Sequence, residues 1–431
     1  MMFYKETGFQ NSPIGEIPDD WKIQELSDFV EIETGKRAKG GGLSEGTVAS
    51  IGGEHIDGQG NILWSDMKYI PDDFYNLLKQ GMVQIGDILL VKDGATTGKV
   101  AIAKYLKYEK VAVNEHVFLI RSKTERLSNE FLYYFLFSKF GQRQIKTRFH
   151  GLIGGIIRND LENVLVPIPS ITEQRGIVGV LGVVDSVIAK TGEVIAKTER
   201  LKKGLMQTLL TRGIGHKEYK QTPIGTIPKE WEVVKVKDVA NLQSGGTPSR
   251  DKPEYWENGT IPWIKSGELN DAEIYNAEEK ITELGLKNSN AKIFPEGTLL
   301  MALYGKGTVS KTAILRIDAA TNQAVCAFTP KNGNFNPKYM QHCLIFMRNR
   351  LLNQLTNPSS DVGRTNIYMG MLESFKIPLP KKVEEQKKIA EILSTVDEEL
   401  NLLRSEKLKF ERIKRGLMDL LLTGKIRVKV D

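Results

Sequence analysis

Two stretches of the chain carry an apolar stripe at the spacing of a helical seam. From about 172 to 210, Ile177, Leu181, Val184, Ile188, Thr191, Ile195, Thr198, Leu205 and Leu209 recur at alternating steps of four and three, with one heptad step missing. From about 384 to 422 the stripe returns as Ile389, Leu393, Val396, Leu400, Leu403, Phe410, Leu417 and Leu421, each 212 residues after a member of the first. A helix of about 39 residues is about 58 Å long at 1.5 Å per residue. One apolar stripe facing water does not stabilise such a rod, so each must pack. Antiparallel packing of the two against one another is the simplest solution; packing of each against its own domain is the alternative. Pro167 and Pro169 hold the approach to the first helix extended, Thr172 and Glu173 offer a cap, and Gly213 to Gly215 end it.

The intervening segments, about 20–165 and 230–376, are mixed. Gly-rich turns separate β-like runs such as Ile85 to Val91 and Val111 to Ile120, and a helix-like stretch spans Asn129 to Lys146. The second segment repeats the plan. Gly297 to Met301 corresponds to Gly86 to Leu90, Asn322-Gln323 to Asn114-Glu115, and Tyr339 to Phe131. Short signatures repeat too: Ile14-Gly15-x-Ile17-Pro18-x-x-Trp21 with Ile224-Gly225-x-Ile227-Pro228-x-x-Trp231; Pro167 to Gln174 with Pro378 to Gln386; Gly204-Leu205-Met206 with Gly416-Leu417-Met418. The expected architecture is α+β: two similar mixed domains joined by two long antiparallel coiled-coil helices in a pseudo-two-fold duplication. The expected boundaries are 1–166 and 215–377 for the domains, 167–214 and 378–431 for the helices.

Catalytic constellations are hard to assemble. Gly94-Ala95-Thr96-Thr97-Gly98-Lys99-Val100 is one residue short of a phosphate loop and ends in Val100 where a hydroxyl is needed. Asn357-Pro358-Ser359-Ser360 lacks the proline and aromatic of an adenine-methyltransferase motif. The five histidines are scattered, and Cys326 and Cys343 lack metal spacing and read as buried thiols. No metal and no cofactor is expected. The absence of any run of about 18 apolar residues, and of an apolar leader at Met1 to Glu6, points to a cytoplasmic protein without a membrane partner.

The formal charge of +7 fits a phosphate-bearing partner. Cations stand in Gly-rich loops at matched places: Lys36, Arg37, Lys39, Lys92, Lys99, Arg148 and Arg158 in the first domain, with Arg143, Lys146 and His150 nearby. In the second they are Arg250, Lys265, Lys306, Lys311 and Arg364, with Asn366. Such loops suit both phosphate contact and base-edge hydrogen bonding. A scaffold kept while its loops change is what two readers of different sequences require.

Taken with the repeated signatures, the chain resembles the DNA-specificity subunit of type I restriction–modification systems over essentially its whole length. The resemblance implies two target-recognition domains reading an asymmetric bipartite site in double-stranded DNA. It also implies helices that act as ruler and docking surface for two methyltransferase subunits, with a restriction–translocase subunit able to join. The subunit itself would be non-catalytic. A freestanding DNA-binding regulator or coiled-coil adaptor is the alternative. The first domain departs from the family pattern: its loop Thr34 to Gly42 lacks the Gly-Gly-Thr-Pro-Ser string of Gly245 to Ser249. Gly176, Gly179, Gly182 and Gly192 lie inside its helix, where small residues would allow close helix approach.

Overall fold

The computed structural model describes residues 2–151, 154–305, 307–355 and 366–429. Two compact units emerge: Met1–Gly192 with Ser405–Asp431, and Glu193–Arg404. Both boundaries fall inside long helices, so each unit contains one mixed domain and a part of both rods.

In unit 1, strands β1 (Val30–Thr34), β2 (Val48–Ile51), β3 (Lys68–Ile70), β4 (Ile88–Val91), β5 (Val100–Ile102), β6 (Lys110–Val113) and β7 (Val117–Ser122) form two sheets. The first is antiparallel with order β1-β7-β4-β5; the second has order β6-β2-β3, with β6 parallel to β2. Successive side chains of a strand point to opposite faces. Ile88 and Leu90 therefore join one core with Phe131 and Phe135, while Leu89 and Val91 join another with Ile51 and Val111. Burial on both faces explains why β4 reads as a continuous apolar run rather than an alternation.

Two expected elements are divided. Val111 to Ile120 is two strands, because Asn114 Oδ1 accepts from the His116 amide at 3.0 Å and turns the chain between them. Ile85 lies outside β4 and is 69% exposed. Asn129 to Lys146 is likewise two helices, α1 (Asn129–Phe137) and α2 (Lys139–Lys146). Ser138 between them is extended (φ −65°, ψ 163°), and its hydroxyl accepts from the Gly141 amide. A Cβ at Gly141 would lie 2.3 Å from the Phe135 carbonyl oxygen, so only glycine admits this corner.

The first rod is α3 (Ile171–Arg212), which begins the passage into unit 2. There β8 (Ala240–Ser244), β9 (Ile261–Ile264), β10 (Ala272–Ile274), β11 (Glu279–Ile281), β12 (Ile293–Phe294), β13 (Leu299–Ala302), β14 (Thr312–Leu315), β15 (Ala319–Thr321) and β16 (Val325–Pro330) repeat the plan. One sheet has order β8-β16-β13-β14-β10, the other β11-β9-β15-β12. Faces alternate again: Leu299 and Met301 lie with Tyr339, Leu300 and Ala302 with Ile264. Helices α4 (Pro337–Phe346) and α5 (Arg348–Leu355) follow, and α6 (Val383–Leu421) is the second rod. Cys326 and Cys343 are free and buried in the α4-side core, where burial pushes the Cys343 thiol up to about 12.

The rods pack together and run antiparallel. In unit 1 Asp185 of α3 pairs with Lys414 of α6 at 2.6 Å; in unit 2 Glu199 pairs with Arg404 at 2.6 Å and Lys202 pairs with Asp397. Partner numbers fall along α6 as they rise along α3. Among the seam residues, Ile177, Leu181, Leu209, Ile389, Leu393, Leu400 and Leu421 are buried. Val184, Ile188, Ile195, Leu205, Val396, Leu403 and Leu417 are half-buried. Ile177 and Leu181 also share a core with Phe131, Tyr134 and Leu421, so a rod packs on its neighbour and on a domain at once.

The repeated Glu-Gln at each rod's start has a definite task. Glu173 accepts from the Trp21 indole at 3.2 Å, and Glu385 from that of Trp231 at 3.2 Å. The Gln174 amide oxygen accepts from the Ser128 amide, and Gln386 from that of Asn336, which fixes the N-termini of α1 and α4. Thr172 and Glu173 are not the cap of α3: the Ser170 hydroxyl accepts from the Glu173 amide, leaving Glu173 free to reach Trp21. The glycines of α3 are not explained by tight approach at two positions. A Cβ at Gly182 would meet nothing within 4 Å, and at Gly192 only Lys407 Nζ at 3.7 Å. Beyond α6, Ile426–Lys429 pairs antiparallel with Met2–Lys5.

Candidate nucleic-acid interface

The turn after β1 in unit 1 is forced into one path by Gly35, where a Cβ would stand 1.7 Å from the Val113 carbonyl oxygen. This brings Lys36 and Arg37 to the rim of a cleft of about 230 Å³, with Ser50, Glu54, Lys68, Asn114, Glu115 and His116 on its other walls. Arg37 Nε lies 3.7 Å from Glu115, and Lys68 Nζ lies 2.9 Å from Glu54. Burial works to raise Glu54, but Lys68 draws its carboxyl below the usual range. Lys36 and Lys39 are exposed and, among the described residues, have no ion pair or side-chain hydrogen bond.

Lys92, Lys99, Arg148 and Arg158 are engaged within the fold. Lys92 Nζ sits 5.8 Å from the Phe118 ring and 3.7 Å from Asp93. Lys99 donates to the Ile56 carbonyl at 3.3 Å. Arg148 donates to the Gln144 and Asn163 carbonyls at 2.9 and 3.1 Å, closing the C-terminus of α2, and Arg158 pairs with Glu162 one turn on at 2.7 Å. His150 meets Asp160 at 2.7 Å, while Arg143 and Lys146 are exposed on α2.

In unit 2 the same turn is set by Gly245, whose Cβ would lie 2.0 Å from the Thr321 carbonyl oxygen. Arg250 stacks on Trp256 at 3.6 Å and pairs with Glu279 at 2.5 Å; Lys265 pairs with Glu278 and Glu279 at 2.8 and 2.9 Å. Hydrogen bonds from Arg250 and Lys265 hold the Glu279 carboxyl low, and the bonds to Glu278 and Glu279 raise Lys265. Lys311 pairs with Asp271 at 2.9 Å. Asn366 is half-buried beside Ile367, whose amide donates to the Leu303 carbonyl. Lys306 and Arg364 lie outside the described residues. Lys36 and Arg37 are therefore brought to the cleft of unit 1, and Arg250 and Lys265 meet at Glu279 in unit 2; Lys92, Lys99, Arg148, Arg158 and Lys311 are bonded elsewhere. Sequence reasoning missed Lys68, Glu54, Glu115 and Glu279. Their signal lay in strand pairing, which places Lys68 opposite Ser50 and Glu279 opposite Trp263.

Among the described residues no group of acids, histidines and cysteines is placed to hold a metal ion, and no helix is long and apolar enough to cross a membrane.

A fold of two double-sheet domains and two long packed helices, with loop cations beside a cleft in one domain and around Glu279 in the other, defines a class of internally duplicated protein. Comparison makes the class specific. The family model for the type I restriction modification DNA specificity domain matches twice, at residues 18–200 and 228–411. The chain belongs to this family of specificity subunits. It is 29% identical to the type I restriction enzyme MjaVIII specificity subunit of Methanocaldococcus jannaschii, over all of this chain and 98% of that one. A segment covering 39% of the chain is 31% identical to the EcoR124I/EcoR124II specificity subunit of Escherichia coli, covering 41% of that protein. The fold matches that of the type I restriction–modification S subunit from M. genitalium with a TM-score of 0.60 at 14% identity, over 97% of this chain and all of the other. A chain from a type I restriction–modification system studied for complex assembly and conformational transition matches with a TM-score of 0.55 at 17% identity, over 95% and 99%.

Proposed function

We propose that this chain selects the DNA sequence for a type I restriction–modification complex and carries no chemistry of its own. Residues 1–166 and 215–377 each read one part of an asymmetric bipartite site. The helical segments 167–214 and 378–431 space the two readers and dock two methyltransferase subunits, with restriction–translocase subunits joining in the full assembly. One observation carries this reading: the same double-sheet scaffold is built twice, each copy within its own family match, with different polar side chains at matched positions. Docking is supported by apolar side chains left on the rods' outer faces, among them Val183 at 65%, Leu201 at 56%, Leu402 at 55% and Leu408 at 56% exposure.

The test is methylation of duplex DNA by the purified chain, by its methyltransferase partner and by the two together. Activity at a defined two-part motif is expected only from the combination. Methyl transfer by the chain alone, or an unchanged motif when the chain is withheld, rejects the proposal.

A further inference from the structure

The cleft of unit 1 and the matching surface of unit 2 can be aligned position by position from their hydrogen bonds. The Asn114 amide donates to the Ile51 carbonyl at 2.9 Å and the Asn322 amide to that of Ile264 at 3.0 Å, which equates Asn114 with Asn322 and Ile51 with Ile264. The Gly52 amide donates to His55 Nδ1 and the Lys265 amide to Glu268 Oε1, so the turns after β2 and β9 match as well. β2 pairs with β3 as β9 pairs with β11, which equates Lys68 with Glu279. Gly35 and Gly245, each packed on the strand preceding the turn, equate Arg37 with Thr247.

At these matched positions the contacts persist while their chemistry changes. Arg37 with Glu115, a charged pair, becomes Thr247 with Gln323, a neutral hydrogen bond. Lys68 on the strand paired with Glu54 in the turn becomes Glu279 on the strand paired with Lys265, two positions earlier in the turn. The second substitution reverses the sign of charge on both walls. A contact kept only for stability has no reason to change in this way; a wall that must meet a different set of base-edge donors and acceptors does.

We propose that these paired positions are the specificity determinants of the two domains: 37, 115, 54 and 68 in the first, and 247, 323, 265 and 279 in the second. The assignment rests on the function proposed above and deepens it. The ligand is the major-groove edge of duplex DNA. Arg37 and Lys68 supply donors suited to guanine O6 and N7, and Glu54 and Glu115 supply acceptors for cytosine or adenine amino groups. Gln323 has the donor–acceptor pair that matches adenine N7 and N6. The first half-site should therefore contain a G·C pair, and the second an A·T pair read by Gln323.

The experiment uses the full chain with its methyltransferase partner and maps methylated positions over a randomised duplex library. One variant, R37T with E115Q, imports the second domain's pair; another, E54K with K68E, reverses the wall. T247R with Q323E is the reciprocal change. Each should shift base preference about tenfold or more at one or two positions of a single half-site, leaving the other half-site and the affinity for unrelated DNA unchanged. An unaltered motif in all three folded variants overturns the assignment, as does a uniform loss of affinity across sequences, which would mark phosphate contacts. Failure of all three to fold, judged by thermal unfolding, also overturns it, because the positions would then hold scaffold. A wild-type complex that methylates no two-part motif would instead reject the underlying function.

Discussion

At the residue scale, buried charge is stabilised by more than one partner. Arg427 bonds Glu173 at 2.5 and 2.8 Å, Glu6 at 2.6 Å and Asp20 at 2.8 and 2.9 Å, close to the Trp21 ring. Its side chain is 6% exposed. Arg427→Met would strand the buried Glu173 carboxylate, and a loss of about 3–5 kcal/mol in denaturant unfolding is expected. Glu173→Gln in the same chain should recover part of that loss; additive losses would show that the pair is not coupled. His342 is the opposite case. It is 2% exposed, its Nδ1 has no hydrogen-bond partner among the described residues, and burial lowers its pKa to about 4 despite Asp397 at 3.9 Å. The unfolded chain binds the proton near 6.5, so protonation favours unfolding. Stability should be full above pH 6.5 and fall as pH drops towards 4, by up to about 1.4 kcal/mol per unit. His342→Gln should flatten this slope in urea unfolding followed across pH 4–7.

Elements obeyed local rules except where a single side chain cut them. The stripe at 177–209 and its echo were legible as helices because a period of three and four sustained over more than four heptads, even with one step missing, has one structural solution. The division of Asn129 to Lys146 was not. Ser138 and Gly141 are ordinary residues in a list, and their meaning depends on the Phe135 carbonyl that approaches Gly141. Glycine therefore has opposite roles in two helices of unit 1. Gly182→Ala, with open space around the new methyl, should stabilise the protein by about 0.5–1 kcal/mol. Gly141→Ala should destabilise it and lower the thermal midpoint by several degrees, since backbone must move to admit the methyl. Equal responses at the two sites would show that helix propensity outweighs packing in both.

For the molecule as a whole, the proposed docking of methyltransferase subunits is tested on the outer faces of the rods. Leu201 and Leu402 stand exposed on α3 and α6, where only part of each side chain is covered and burial within the chain adds little to folding. Replacing both with Asp should leave the unfolding midpoint unchanged and weaken capture of the methyltransferase subunit at least tenfold in a titration. Undiminished capture would place docking elsewhere.

The duplication and the two rods were determined by sequence, because hydrophobic periodicity and repeated signatures are properties of order along the chain; that the rods pair antiparallel was decided by their cross-helix contacts. The interface candidates were only half visible there. Side-chain type suggests cation and loop, but it cannot say that Lys99 and Arg148 spend their donors on backbone carbonyls. Nor can it say that Lys68 faces Glu54 across a cleft, or that Glu279 occupies the same place with the charge reversed. Those facts depend on strand register, which brings residues distant in sequence to one wall, and register is settled by the packed sheets and not by any local pattern.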